Sequence, residues 1–186
     1  MNITVYLGAS LGKNGIYEEA TIELAKWIAA RGNSLVYGGS KAGLMGVLAD
    51  TVLANGGKAI GIIPEFLKER EIAHDKLTSL TVVESMSERK HLMMEMGDAL
   101  IALPGGPGTL EEITEVISLA RVGKNSKPCV LLNINGYYNP LKAQFDAMVA
   151  EGFLTADARA KILFTDNFEA IERFVATYIP PAWRKY

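Results

Sequence analysis

The chain has one cysteine, Cys129, and two histidines, His74 and His91, among 186 residues. A single cysteine closes no internal disulfide, so a disulfide-stapled scaffold is excluded and a reducing compartment is favoured. Cys129 lies in the apolar run Cys129–Leu132, where a thiol serves as a small buried hydrophobe. The two histidines share no metal-ligand spacing and have no cysteine partner, which gives no metal site. Charge of either sign is not in excess: 19 Lys and Arg stand against 21 Asp and Glu, a net charge of −2. That balance offers nucleic acid no basic surface. No apolar run approaches the ~18 residues of a bilayer span, and Met1–Gly8 lacks the basic segment and long apolar core of a secretory leader. The expectation is a cytoplasmic protein with neither a membrane nor a nucleic-acid partner. Repeats, low-complexity tracts and linkers are missing as well, so residues 1–186 are expected to form one domain with a sizeable core.

What is present is an alternation of short β-rich apolar runs with longer helical patterns. Ile3–Leu7, Ser34–Tyr37, Ala59–Ile63, Leu80–Val83, Ala99–Leu103, Cys129–Leu132 and Ile162–Phe164 read as strands. Helices fit at Tyr17–Arg31, Leu44–Asn55, Ser87–Met96, Thr109–Val122, Asn139–Glu151, Ala156–Lys161 and Phe168–Tyr178. Gly32 and Gly56-Gly57 stand where helices one and two should end. This order predicts an α/β fold of three layers, a mostly parallel sheet of about seven strands flanked by helices on both faces. The proline-rich tail Ile179–Tyr186, with Trp183, is expected to dock irregularly.

Ligands of such folds bind at the carboxyl ends of the strands. Three loops there are small or glycine-rich: Gly8-Ala9-Ser10, Gly38-Gly39-Ser40-Lys41-Ala42-Gly43, and Pro104-Gly105-Gly106-Pro107-Gly108-Thr109. Gly8, Ser10, Gly39, Gly43 and the nearby Met45 are the candidate ligand contacts of the first two. Gly8–Asn14 resembles a P-loop but is one residue short and has Asn14 where a Mg²⁺-binding hydroxyl belongs. Gly39, Gly43 and Gly46 lack dinucleotide spacing. Tight turns and close packing explain any one of these loops; three on one sheet edge favour a phosphate or nucleotide site.

The third loop opens onto a helix carrying Glu111, Glu112 and Glu115. Thr109 with Glu112 three residues later has the form of a capping box, a purely structural reading. The alternative is catalytic. Carboxylates beside a bound phosphate repel it unless the phosphate lies on glycine amides and the acids face another part of the ligand, as a pentose 5-phosphate allows. In Met86-Ser87-Glu88-Arg89-Lys90-His91, Ser87 as N-cap puts Arg89 and Lys90 in the first turn, against the helix dipole. A solvated basic face is the plain explanation, and a functional pair the other. Met93, Met94 and Met96 suit a core or a subunit contact.

Together these segments resemble the LOG (Lonely guy) family of cytokinin riboside 5′-monophosphate phosphoribohydrolases, some of whose members were earlier labelled possible lysine decarboxylases. The resemblance runs from Val5 to about Leu154. Its signature Pro-Gly-Gly-x-Gly-Thr-x-x-Glu is complete and ends at Glu112, and its Arg-Lys pair matches Arg89-Lys90. Val36–Gly39, Gly43–Gly46, Arg70-Glu71-Ile72 and Leu132–Tyr138 match too. The resemblance implies a Rossmann-like homodimer that splits a purine nucleoside 5′-monophosphate into free base and ribose 5-phosphate. It implies Arg89 and Glu112 as the catalytic pair, with substrate contacts from Glu71, Lys90, Gly105, Gly106, Gly108, Thr109, Glu111 and Ser118. No metal, nicotinamide or flavin is required. A non-catalytic nucleotide or molybdenum-cofactor carrier is the alternative, since such carriers use a similar fold. Lysine decarboxylation needs pyridoxal phosphate on a lysine in a recognisable setting, and none is found. Two departures from the family pattern stand out. Pro107 replaces a residue that is often aromatic and removes a backbone donor, and Ser40-Lys41-Ala42 replaces a more glycine-rich loop.

Overall fold

The computed structural model describes residues 1–70 and 72–182. Seven strands form one sheet: β1 Asn2–Tyr6, β2 Ser34–Tyr37, β3 Lys58–Pro64, β4 Ser79–Val83, β5 Ala99–Ala102, β6 Cys129–Leu132 and β7 Ile162–Thr165. All seven expected strands are present, each within a residue or two of its expected ends. Their order is β4-β3-β2-β1-β5-β6-β7, and every neighbouring pair is parallel. The central strands are buried along nearly their whole length. Continuous apolar runs fit that position, because helices cover both faces of a parallel sheet.

The helices are α1 Ile16–Ala30, α2 Gly43–Ala54, α3 Glu65–Lys68, α4 Met86–Met96, α5 Pro107–Arg121, α6 Asn139–Ala150, α7 Ala156–Ala160 and α8 Phe168–Ala176. One apolar cluster joins α1 and α2 to one sheet face through Leu24, Ile28, Leu48 and Val52. A second joins α4, α5 and α6 to the other face through Met93, Ile113, Val116 and Phe145. Gly32 and Gly56 end α1 and α2 as expected, their amides donating to the carbonyls of Ala29 and Leu53. The short α3 was missed by sequence reasoning; four residues are too few to show a helical period. Of the tail, Trp183–Tyr186 lie outside the described residues.

Two helix starts differ from expectation, and both differences bear on the site. Ser85, not Ser87, caps α4: its Oγ accepts from the Glu88 amide at 3.1 Å. Arg89 and Lys90 therefore stand four and five residues past the cap, where the dipole argument against them lapses. Helix α5 starts at Pro107 with Gly106 as cap and no capping side chain. Proline suits that first position, whose N–H has no intrahelical partner anyway. Thr109 and Glu112 do not form a capping box. They lie inside the helix, and both are buried.

The chain runs from β1 outward to β4 on one side and starts again at β5 on the other, so the connection reverses between β1 and β5. The loops after β1, β2 and β5 are thereby neighbours at one edge. Gly43 links the first two. It adopts φ +54°, and a Cβ there would overlap the backbone of Ala9 and Ser10. Gly43→Ala should lower stability by about 2–3 kcal/mol in chemical denaturation, from left-handed strain plus backbone overlap. A loss under about 0.5 kcal/mol would mean that the loops part easily.

Candidate active site

A cleft of about 230 Å³ opens at that reversal point. Its walls are Gly8 after β1, Met45 of α2, Arg89 and Lys90 of α4, and Gly106, Gly108, Thr109, Glu111 and Glu112 at the start of α5. The first turn of α5 lines this space, and the first amides of a helix have no partner within the helix. Pro107 contributes none, so the donors that remain are those of Gly108 and Thr109 and of the Gly106 cap. A helix N-terminus with free amides is a ready anion site. A second hollow of about 210 Å³ continues past Gly8 and Gly106 towards Ser10, Tyr17 and Tyr137.

Backbone packing holds the cradle. A Cβ on Gly105 would lie 2.9 Å from the Gly8 amide nitrogen and 2.7 Å from the Thr109 Cβ, so only glycine lets these three meet. Two tyrosines buttress the loop from below. Tyr137 donates its hydroxyl to the Gly105 carbonyl at 2.5 Å, and Tyr138 donates to the Leu103 carbonyl at 2.6 Å. Their rings pack edge to face, and Tyr137 does the same with Tyr17. Sequence reasoning gave these tyrosines no role. The available signal was an aromatic pair just after β6, the strand beside β5.

The same cleft holds an acidic and basic cluster, with acids from α5 and bases from α4. Arg89 is buried, with Nε donating to the Ile62 carbonyl at 3.2 Å. Its Nη1 stands 3.7 Å from Oε1 of Glu112. That distance holds an ion pair but no hydrogen bond, so both groups keep bonding capacity directed at the cleft. Burial raises the Glu112 pKa from the ordinary 4.5 to about 7; Arg89 and Lys90 oppose the rise, and Glu111 and Glu115 add to it. A carboxyl poised near 7 can carry or take a proton at neutral pH. Beneath it, burial and then the Glu112 charge push the Tyr6 hydroxyl well above its ordinary pKa.

The other two acids are neutralised. Lys90 Nζ lies 2.7 Å from Glu111 Oε1 and 2.9 Å from Glu115 Oε2, joining α4 to α5. These bonds, first with Glu111 and then with Glu115, raise the Lys90 pKa. An imine-forming lysine needs the opposite shift, so this residue is not built for decarboxylation through a lysine imine. The repulsion that three glutamates would exert on a phosphate is reduced in the same way. Two are tied to a lysine, and burial raises the pKa of the third to about 7 beside an arginine.

The remaining expected positions fall as follows. Gly39 and Gly43 lie behind the cleft: the Gly39 carbonyl accepts from the His74 amide, and Gly43 packs on Ala9 and Ser10. Ser10 is exposed and lines the second hollow. Ser118 is exposed on α5, two turns beyond Glu111 and outside the cleft lining. Glu71 lies outside the described residues. His74 is buried between Asp50, 3.1 Å from its Nε2, and the Lys76 amide. His91 is exposed beside Glu95. Burial pushes the Cys129 thiol up to about 12, consistent with an inert core residue.

The profile of the family described as "possible lysine decarboxylase" matches residues 45–174. The cytokinin riboside 5′-monophosphate phosphoribohydrolase of Rhodococcoides fascians is 44% identical over 169 residues, 90% of this chain and 85% of that protein. The chain belongs to the LOG family. The LOG protein of rice, also described as a cytokinin riboside 5′-monophosphate phosphoribohydrolase, is 41% identical over 96% of this chain and 74% of its own length. Among solved structures, the molybdenum-cofactor binding protein of Rippkaea orientalis superposes with a TM-score of 0.71 over 95% of both chains at 21% identity. The molybdenum-cofactor carrier of Chlamydomonas reinhardtii gives 0.70 at 20% identity, over 95% of this chain and 98% of that one. At that distance the likeness shows the shared α/β fold alone.

Folding should register the buried acid of the LOG cleft. A carboxyl raised in the folded state contributes stability that is fully present below about 4.5 and lost as pH rises through about 7. Glu112→Gln removes the charge and keeps the shape. It should stabilise the fold by about 1–2 kcal/mol at pH 8 and far less at pH 5 in urea unfolding. Equal effects at both pH values would contradict the raised pKa.

Proposed function

We propose that this LOG protein hydrolyses the N-glycosidic bond of purine nucleoside 5′-monophosphates, cytokinin riboside or adenosine monophosphate, to free base and ribose 5-phosphate. The observation that carries the reading is the buried Glu112 beside Arg89, lining one cleft with the glycine-rich start of α5. The named relatives support the same chemistry.

The 5′-phosphate lies on the amides of Gly106, Gly108 and Thr109, within the helix N-terminus of α5. Binding energy at that remote end then orients the ribose. Cleavage passes through an oxocarbenium-like state at the sugar carbon. The Glu112 carboxylate stabilises that charge and takes a proton from the attacking water. The bond from sugar carbon to base nitrogen breaks with its electron pair going to the base, a bond from that carbon to the water oxygen forms, and the proton Glu112 took from the water passes to the base nitrogen, which restores the carboxylate. Arg89 holds Glu112 and the sugar hydroxyls in place. Lys90 and Glu111 border the ligand as a bonded pair, and Gly8, Gly105 and Met45 complete its surroundings. Glu71, Ser10, Gly39, Gly43 and Ser118 are proposed as contacts on family resemblance alone. No metal or redox cofactor enters this chemistry. The protein is proposed to act in the cytoplasm as a single domain, without nucleic-acid or membrane partners. Among the described residues no helix is long and apolar enough to cross a membrane.

A homodimer is also proposed. Its support is the family, because Met93 and Met94 of α4 are spent in the chain's own core. Light scattering should return twice the 20.2 kDa chain mass; a monomer mass would refute the dimer.

The reaction is tested by chromatography of base and ribose 5-phosphate released from AMP, isopentenyladenosine monophosphate and adenosine. The monophosphates should turn over and adenosine should not. Glu112→Gln should abolish release with the fold intact, a loss on the order of 100-fold or more. Because the carboxylate is the working form, kcat should climb as pH rises through about 7. Retained turnover in Glu112→Gln would overturn the assignment, and tight nucleotide binding without base release would favour the carrier reading.

A further inference from the structure

Gly38 follows directly on β2, at the head of the loop that closes with Gly43. Its backbone is not in the left-handed region, so the turn itself makes no demand for glycine. The demand comes from across the cleft wall. A Cβ on Gly38 would overlap Nη2 of Arg89 and lie 2.9 Å from its Cζ and 3.3 Å from the Met45 sulfur. The guanidinium is thus laid against a bare backbone. Its other nitrogens are accounted for: Nε on the Ile62 carbonyl at 3.2 Å, and Nη1 at 3.8 Å from the Met86 sulfur and 3.7 Å from Glu112.

We infer that Gly38 is a positioning residue for Arg89: the missing side chain forms the seat that turns Nη1 towards Glu112 and the substrate. Met45 and the Ile62 carbonyl flank the guanidinium, so a methyl group at position 38 drives it off the Ile62 bond or into the cleft. Either movement changes the distance from the Arg89 charge to Glu112. That charge opposes the rise in the Glu112 pKa, so the proton on Glu112 reports on the seat. Gly38 lies fifty-one positions before Arg89 in sequence (89 − 38) and touches it only through the fold.

The activity arm of the test rests on the phosphoribohydrolase reading; the stability arm does not. Gly38→Ala is made in the natural chain and in an Arg89→Met background, where the guanidinium is gone. In thermal unfolding Gly38→Ala should lower the midpoint of the natural chain and leave Arg89→Met nearly unchanged, a non-additive pair. If Gly38→Ala fails to fold alone but folds with Arg89→Met, the seat is supported as well. Equal destabilisation in both backgrounds, or failure to fold in both, overturns it. With AMP, Gly38→Ala should lower kcat by about 10- to 100-fold with a smaller change in KM. The acid limb of its pH profile should move by about half a unit or more, which a merely structural glycine would not cause. An unmoved limb with unchanged kcat overturns the inference. Coupling in stability without base release by any protein, the natural chain included, leaves the seat standing and removes the phosphoribohydrolase reading instead.

Discussion

Backbone-to-backbone contact between the loops after β1, β2 and β5 is the constraint on which the rest of the site depends. Gly8 meets Gly105, Gly43 meets Ala9 and Ser10, and no side chain intervenes at these crossings. The sheet order makes the meeting possible, since β1 lies between β2 and β5. It also places the first turn of α5 where the chain reverses. Buttressing by Tyr137 and Tyr138 then fixes the carbonyl side of the same loop. Donors on one side and tyrosine bonds on the other leave the cradle little freedom, as preorganised electrostatics require.

Charge in the cleft follows from that geometry. Helices α4 and α5 lie side by side on one sheet face, so their facing residues neutralise each other across the gap. Lys90 takes Glu111 and Glu115, and the buried positions fall to Arg89 and Glu112. The two pairs differ in kind. Lys90 makes short bonds to carboxylates that are largely exposed to water, where such pairs contribute little to stability. Arg89 and Glu112 are buried and still stand too far apart to bond. Desolvation without full compensation keeps the Glu112 proton near neutrality. Those are the conditions under which a carboxyl is useful in proton transfer.

The sheet was legible in the sequence because each strand is a short apolar run bounded by turn residues, and the period changes sharply on entering a helix. The three loops were legible as a group for the same reason: alternation alone places them on one edge. Helix starts were less so. Ser85 and Ser87 are both suitable caps by composition, and Thr109–Glu112 has the capping spacing while α5 starts two residues earlier. Local pattern cannot separate these options, because sheet packing decides which turn of the helix comes first. The Tyr137 and Tyr138 bonds and the Gly38 seat were invisible for another reason. Each joins residues more than thirty positions apart, and nothing in the local sequence marks the partner.

The fold alone does not separate a hydrolase from a carrier, since a solved molybdenum-cofactor carrier superposes on this chain along almost its whole length. The distinction lies in what a carboxylate costs. A protein that only holds a phosphorylated ligand gains from amides and cations and loses from every buried acid near the anion. Glu112 is such an acid, raised to about 7 by its surroundings, and its ionisation above that pH works against the fold. Gln or Met at this position would relieve the cost and leave the amide cradle untouched. Retaining the carboxyl therefore makes physical sense where its proton or its negative charge is used during the reaction, the trade of stability for activity common at catalytic groups. In the reaction proposed for this cleft, the bond that needs such help is the one between a sugar carbon and its base, because cleavage there makes a cation that a nearby carboxylate can stabilise.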